Sequence, residues 1–354
     1  MTATAAAAVT TAPSRLRAPW LAGGILAVVV ALVVGVAVGP VGISPVGVVQ
    51  ELLSHVPLLG VRSTLSARDA AIVTELRLPR VVLALLVGAL LSVAGASYQG
   101  TFRNPLADPY LLGAGAGAGL MVTLVVVTTS TTLGGGDQLV PLAAFVGALG
   151  AVAVSYAVGR SAGGVAVVTL ILAGVAIASF LTAIQAYLLQ RNSDNIREVY
   201  TWILGRLTVA TWTEVALVLP YFAVAITVLL LHRRVLDVFA VGEEEASTLG
   251  IPVARSRLVI VAAASLATAA AVAVSGLIGF VGIIVPHTVR MIAGTSYRVI
   301  LPLSILFGGA FLVFADLVGR TVIAPAELPI GVVTAFIGAP FFLVVLRTSV
   351  RSKQ

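Results

Sequence analysis

Arg77-Leu-Pro-Arg80 opens a stretch that runs through the apolar residues 81–98 and closes on Gln99-Gly-Thr-Phe-Arg-Asn104-Pro-Leu-Ala-Asp108-Pro109. The apolar run between these two polar signatures has the length of a bilayer-spanning helix, for which about 20 residues suffice. A plain membrane anchor needs neither signature. Pro105 and Pro109, four residues apart, block a continuous helix, and Asn104 just before Pro105 is biased towards extended backbone. The second signature is therefore a turn at the end of a span.

The whole chain extends this pattern. Its 354 residues are 59% hydrophobic and 10% charged, with a mean hydropathy of +1.12. Soluble domains carry about a quarter charged residues, so the chain lacks the polar surface to face water on all sides. The fold class is all-α, a polytopic integral membrane protein. There is no cysteine, which excludes disulfides, thiolate metal sites and cysteine nucleophiles but leaves the compartment open. The net charge is +7, and the basic residues sit at segment ends. That distribution suits anchoring at anionic headgroups and does not suit nucleic acid.

Nearly charge-free blocks cover residues 20–39, 81–98, 109–133, 138–159, 161–190, 215–231, 258–289, 299–315 and 328–346. The block 258–289 is too long for one crossing of a core about 30 Å thick. Ser275-Gly276 and Gly279 offer a break, with the first half beginning near Val253. About ten spans result, which puts both termini on one side. Arg15, Arg17, Arg103, Arg160, Arg233, Arg234, Arg255, Arg257, Arg290, Arg298, Arg347, Arg351 and Lys353 then share the N-terminal side, the majority of the 21 basic residues. The positive-inside rule makes that side cytoplasmic, giving an N-in, C-in topology. Residues 1–19 form a disordered cytoplasmic tail, 20–347 one transmembrane domain, and 348–354 a second cytoplasmic tail. Residues 20–39 are a retained span, not a cleaved signal.

The loops carry the remaining signals. Residues 40–75 form a long outer loop. In the outer segment 191–213, residues 196–205 can lie as a short interfacial helix with Trp202 and Trp212 as anchors. The inner loop contains Gly242-Glu243-Glu-Glu-Ala246-Ser-Thr-Leu249-Gly250-Ile-Pro252. Residues 243–249 can make a short helix stopped by Gly250-Ile-Pro252, with three carboxylates in an unfavourable cluster. Without a partner, that is a solvated, capped helix. The only lysine is Lys353, with no glycine-rich loop before it, so the chain has no phosphate-binding loop and no ATPase of its own.

Within the spans, Gly113/Gly117 and Gly115/Gly119 are small-xxx-small pairs that let helices approach closely. Arg77, Arg80 and Arg320 lie at span ends and can snorkel to headgroups. Asp316, four residues before Arg320, can pair with it. Ser179, Thr182 and Gln185 recur at helical spacing, suited either to interhelical hydrogen bonds or to a polar pathway. Glu327 reads as a brace for the outer loops, and His287, beside Pro286, as a structural hydrogen-bonding group and not a metal or haem ligand. An ion-gradient-driven secondary transporter is the alternative class. It needs midplane carboxylates, and Asp316, near one span end, is the only candidate.

Together Arg-Leu-Pro-Arg, Asn-Pro-Leu-Ala-Asp-Pro, Val-Pro286-His-Thr-Val-Arg290 and Glu327-Leu-Pro-Ile-Gly331 resemble the permease subunit of type II ATP-binding-cassette importers for iron-siderophores, haem and cobalamin. The resemblance runs from about Arg77 to Arg347. It implies a non-enzymatic translocation subunit of the plasma (inner) membrane that works by alternating access, and makes residues 20–347 a permease domain with a coupling loop at about 237–252. A coupling pattern G-E-x-x-A-x-x-L-G is matched at Gly242, Glu243, Ala246, Leu249 and Gly250, for docking into an ATPase. It implies docking of an extracytoplasmic binding protein at Arg77, Arg80 and Arg320, and a cytoplasmic gate at Asn104 and Leu106. Relatives place small polar residues at a second gate. Here Val167-Val168-Thr169 is more apolar and would close by dewetting. Ser179 and Thr182 would face a path lined by the fifth and tenth spans. The implied partners are a second permease copy or paralogue, two ATPase subunits and the binding protein, all at a lipid bilayer. ATP and Mg2+ would belong to the ATPase, and no cofactor or metal to this chain. The implied cargo is a metal chelate: iron-siderophore first, then haem, then cobalamin.

Overall fold

The computed structural model describes residues 15–39, 41–55, 60–129, 139–161, 167–208 and 210–351. Most of the expected N-terminal tail, the far end of the third apolar block and Lys353 lie outside these residues. Among the described residues no strand occurs, and the helices run in chain order as α1 (Ala18–Ala37), α2 (Pro45–Ser54), α3 (Ala67–Ala71), α4 (Leu78–Thr101), α5 (Ala114–Thr129), α6 (Leu139–Ser161), α7 (Val167–Arg191) and α8 (Ile196–Ile203). They continue as α9 (Trp212–Leu231), α10 (Arg233–Val241), α11 (Glu243–Thr248), α12 (Val253–Ser275), α13 (Val281–Ala293), α14 (Tyr297–Thr321) and α15 (Ile330–Arg351).

Among the described residues, seven helical stretches are long and apolar enough to cross a bilayer: α1, Ala67–Thr101, α6, α7, α9, α12 and α14. The apolar parts of α5, α13 and α15 are shorter. α13, with 13 residues, reaches only about 20 Å.

The long block 258–289 breaks where glycine permits. α12 ends at Ser275, and Gly276 turns the chain at φ +68°, a conformation that costs glycine little. The second span differs from its expected start. Helical backbone begins at Ala67 and passes through a π-turn at Ile72–Arg77 before α4. Pro79, which has no N–H to donate, falls just after the π-turn, where the regular hydrogen-bond ladder is already interrupted. Arg77 and Arg80 therefore lie inside a continuous helical stretch and not at its tip.

α4 is the hub. All of its residues from 87 to 101 are buried, because α14, α12, α13 and α9 surround it. A helix apolar on every side is one buried on every side. The closest approach to α14 is at Gly88 and Gly308, where a Cβ on Gly88 would overlap the Gly308 carbonyl oxygen. α5 and α6 meet the same way at Gly117 and Gly147, whereas Gly113, expected to pair with Gly117 on one helix, falls just before α5 at φ +84° and lies against α7. α7 is the opposite case. Its buried residues are Leu170, Ala173, Gly174 and Gln185, and the rest of its surface is open.

The polar groups singled out above gather at two ends of the bundle. The start of α4 and the end of α14 define an arginine end. The α4–α5 turn, the α10–α11 segment and the start of α14 define a loop end.

Candidate functional site

At the arginine end, the sequence brings three arginines to a common place. Arg80 donates from Nε to Asp316 Oδ1 and Oδ2 at 3.1 and 3.0 Å, and from Nη2 to Oδ1 at 2.8 Å. Its remaining edge reaches Glu327, Nη1 to Oε1 at 2.9 Å and Nη2 to Oε2 at 2.8 Å. One guanidinium thus holds two carboxylates in the planar fork geometry that suits arginine. Arg320 approaches the same Asp316, Nε to Oδ2 at 3.6 Å, as the four-residue spacing suggests. Asp316 is only 3% exposed.

Arg77 and Arg320 have a further task. Arg77 Nη1 donates to the carbonyls of Val36 and Ala37 at 3.1 and 2.9 Å, and its Nη2 donates to Val41 O. Arg320 Nη2 donates to Gly35 O. The last carbonyls of a helix lack intrahelical donors and favour a nearby cation. α1 has no basic residue in its own last turn, so Arg77 and Arg320 supply the charge from α4 and α14. At 6% and 3% exposure, both are committed inside the chain and do not stand out as free surface arginines. Glu327, read as a brace, does tie the start of α15 to α4 through Arg80.

At the loop end, the expected short helix forms as α11. Ala246 is buried, whereas Leu249 is 69% exposed and Glu244 and Glu245 face outward. Gly250 ends the segment at φ +76° with its N–H on Ser247 O at 2.9 Å, and Ile251 N donates to Ala246 O at 3.1 Å. Gly242 is extended and begins the helix. Glu243 is paired with Arg257 of α12. Asp237 of α10 binds Arg298 at 3.3 Å and accepts from Ser296 Oγ at 2.9 Å. The outward face of α11 therefore sits on a base tied to both α12 and α14. The sequence reading missed Asp237, Arg257 and Arg298 because their pairs join segments that periodicity does not relate.

The turn expected at residues 104–109 also forms. Leu106 N donates to Asn104 Oδ1 and Tyr110 N to Asp108 Oδ1, at 3.0 and 2.8 Å. Leu106 projects outward. Burial pushes the Asp108 carboxyl up to about 6, and the Tyr110 N–H opposes the rise. Val167 and Val168 open α7, with Val168 exposed. Ser179 and Thr182 lie on the open surface of α7, but Gln185 does not join them. It is buried and donates to Thr123 Oγ1 of α5 at 2.9 Å. Six residues at about 100° each turn a side chain roughly 120° away from its start, so the expected shared face splits into an exposed pair and an interhelical hydrogen bond.

Two other expectations change. Trp202 is buried at 2% exposure instead of anchoring at an interface, whereas Trp212 is exposed and donates to Thr74 O at 3.0 Å. His287 packs edge-on against Phe341 at 5.9 Å. Among the described residues no cluster of three or more His, Asp or Glu could hold a metal ion. A cavity of about 690 Å³ lies between the α12–α13 break and α15, lined by Leu277, Phe280, Val332, Phe336 and Pro340 among others.

This arrangement has counterparts among known proteins. Residues 26–348 match the model of the FecCD transport family. The chain is 41% identical over 320 residues to an uncharacterized ABC transporter permease protein, YvrB, of Bacillus subtilis, covering 90% of each chain. It is 45% identical over 276 residues to the cobalamin import system permease protein BtuC of Halobacterium salinarum, covering 78% of this chain and 73% of the other. A solved inward-facing metal-chelate type ABC transporter superposes with a TM-score of 0.80 at 27% identity, covering 94% of this chain and all of that one.

Proposed function

The chain belongs to the FecCD transport family, a multi-pass permease of the plasma membrane that leaves ATP hydrolysis to a separate subunit, and from that premise we propose that it moves a metal chelate inward by alternating access. The cargo class we favour is an iron-siderophore, then haem, then cobalamin. Relatives named for Fe(3+)-citrate, hemin and cobalamin import support this class.

In this reading residues 20–347 act as one permease domain with both termini cytoplasmic. Two copies, or this chain and a paralogue, would enclose the path between α7 and α15, whose open apolar faces include Val168, Leu172 and Phe336. Ser179 and Thr182 would line that path. Two ATPase subunits, holding ATP and Mg2+, would engage Gly242, Glu243, Ala246, Leu249 and Gly250. Their motion would reach α12 through Glu243–Arg257 and α14 through Asp237–Arg298. The turn at Asn104–Leu106 and the valines Val167 and Val168 would form the gates at the loop end.

The binding protein would dock at the arginine end. Arg77 and Arg320 act there by fixing α1. Arg80 is the arginine a docking carboxylate can reach, by exchanging with Glu327, whose side chain is 28% exposed.

The observation that carries this proposal is the α11 platform. Its apolar and acidic groups face outward while its base is tied to two long helices. Reconstitution in liposomes with ATPase and binding-protein partners tests it. ATP-dependent uptake of a ferric siderophore, haem or cobalamin, abolished by Leu249→Asp, is the expected result. Uptake without the ATPase, driven by an ion gradient, would overturn it in favour of a secondary transporter.

A further inference from the structure

A second, larger cavity of about 1060 Å³ lies away from the residues above, between α6 and α9 with α12 as its floor. α6 and α9 meet at Phe145 and Tyr221, whose rings are 4.9 Å apart. Beyond that contact the groove opens towards the loop end. Its walls include Leu149 and Tyr156 of α6, Val224 and Val228 of α9, and Leu258 and Leu266 of α12. It ends at Arg160 and Ser161, in the last turn of α6. From Leu149 to Arg160 a helix rises roughly 16 Å, the depth of one leaflet of a hydrocarbon core about 30 Å thick. The groove thus runs from near mid-bilayer to headgroup level.

Charge distinguishes the mouth from the walls. Arg160 is exposed, and among the described residues it has no ion-pair or hydrogen-bond partner. Arg255, also exposed, precedes Val259 by four residues and so shares the face of α12 that lines the groove. No acidic residue lines the cavity. An apolar slot one leaflet deep, closed at mid-depth by an aromatic pair and open at a cationic mouth, complements one molecule type in its surroundings. We infer that the α6–α9 groove binds an anionic phospholipid, with acyl chain against α12 and phosphate at Arg160 and Arg255. Basic pockets between spans are where such headgroups bind. The lipid would hold α6 and α9 apart at the end from which α9 leads into α10 and α11.

The inference does not depend on what the chain transports, and its test needs no transport. The full chain is placed in nanodiscs of phosphatidylcholine with a minority of phosphatidylglycerol, and lipid retained after extraction is measured by native mass spectrometry. We expect a roughly thirtyfold preference for phosphatidylglycerol over phosphatidylcholine in the retained lipid, relative to their ratio in the disc, the order two arginines give beside an anionic headgroup. Arg160→Gln with Arg255→Gln should abolish the enrichment, and Ala157→Trp, from an exposed lining position, should remove the bound lipid. Because the chain has no cysteine, Ala153→Cys carries a single fluorophore in the groove, and phosphatidylglycerol brominated on its acyl chains should quench it more strongly than the brominated phosphatidylcholine does. That readout stands if the tryptophan variant fails to fold. Equal retention of the two lipids, or equal quenching by them, overturns the inference. So does loss of a dimer in Ala157→Trp with lipid retention unchanged, which would assign the groove to a second copy.

Discussion

Asp316 at the arginine end is 3% exposed and holds two arginines, whereas Glu243 at the loop end has a side chain 46% exposed and holds one. Around Asp316, guanidinium groups also satisfy the last carbonyls of α1 and the carboxylate of Glu327. Around Glu243, two further carboxylates and Leu249 are left facing outward. The same ingredients, arginine and carboxylate, make a lock at one end and a platform at the other. Burial makes the difference. A charge taken out of water must keep its partners, and one left in water can exchange them.

Removing one partner should break the lock hardest. Asp316→Asn leaves Arg80 and Arg320 without their shared counter-charge, and should cost about 3–5 kcal/mol, read as a lowered denaturation midpoint in detergent. A variant as stable as the parent would dissolve the contrast between the ends. Arg257→Ala, on the platform side, unpairs a carboxylate that water can reach. Its cost should be about 1–2 kcal/mol by the same measurement, and a loss equal to that of Asp316→Asn would make the two ends alike. Glu327→Gln should cost less than about 1 kcal/mol, since Glu327 is partly solvated. By freeing one edge of Arg80 it should hold or raise binding-protein affinity in a titration, whereas Arg80→Glu should abolish binding. Weakened binding in Glu327→Gln would mean that Glu327 itself, and not Arg80, meets the partner. Leu249→Asp should leave stability within about 0.5 kcal/mol while ATPase co-purification is lost. Retained co-purification would remove Leu249 from the platform.

Local chemistry was legible in the sequence. Glycines in an apolar run marked the break at Gly276, and Gly250-Ile-Pro252 marked the end of α11. The four-residue spacing of Asp316 and Arg320 marked their pairing. What was not legible is non-local. Arg80 and Glu327 are 247 positions apart, and nothing in either segment names the other. The capping of α1 by Arg77 and Arg320 left only a negative trace, a helix end without a cation of its own. Trp202 and Gln185 show a second limit. In a spanning helix, apolar residues on all sides hide which face meets protein and which meets lipid, so the polar row divided at Gln185, whereas Trp202 proved buried because the short α8 packs against α5, a contact that nothing in its own segment names.

The approach of Gly88 to Gly308 has a consequence for genetics. A Cβ placed on Gly88 would strike the backbone oxygen of Gly308 first, ahead of Leu312 Cβ. No replacement at residue 308 can trim that oxygen away. A screen for second-site suppressors of Gly88→Ala should therefore recover no allele-specific partner at residue 308, although the two positions touch. Suppressors should instead be global stabilisers scattered through the bundle. The tightest seam between α4 and α14 is thus the one that paired substitutions would leave off the map.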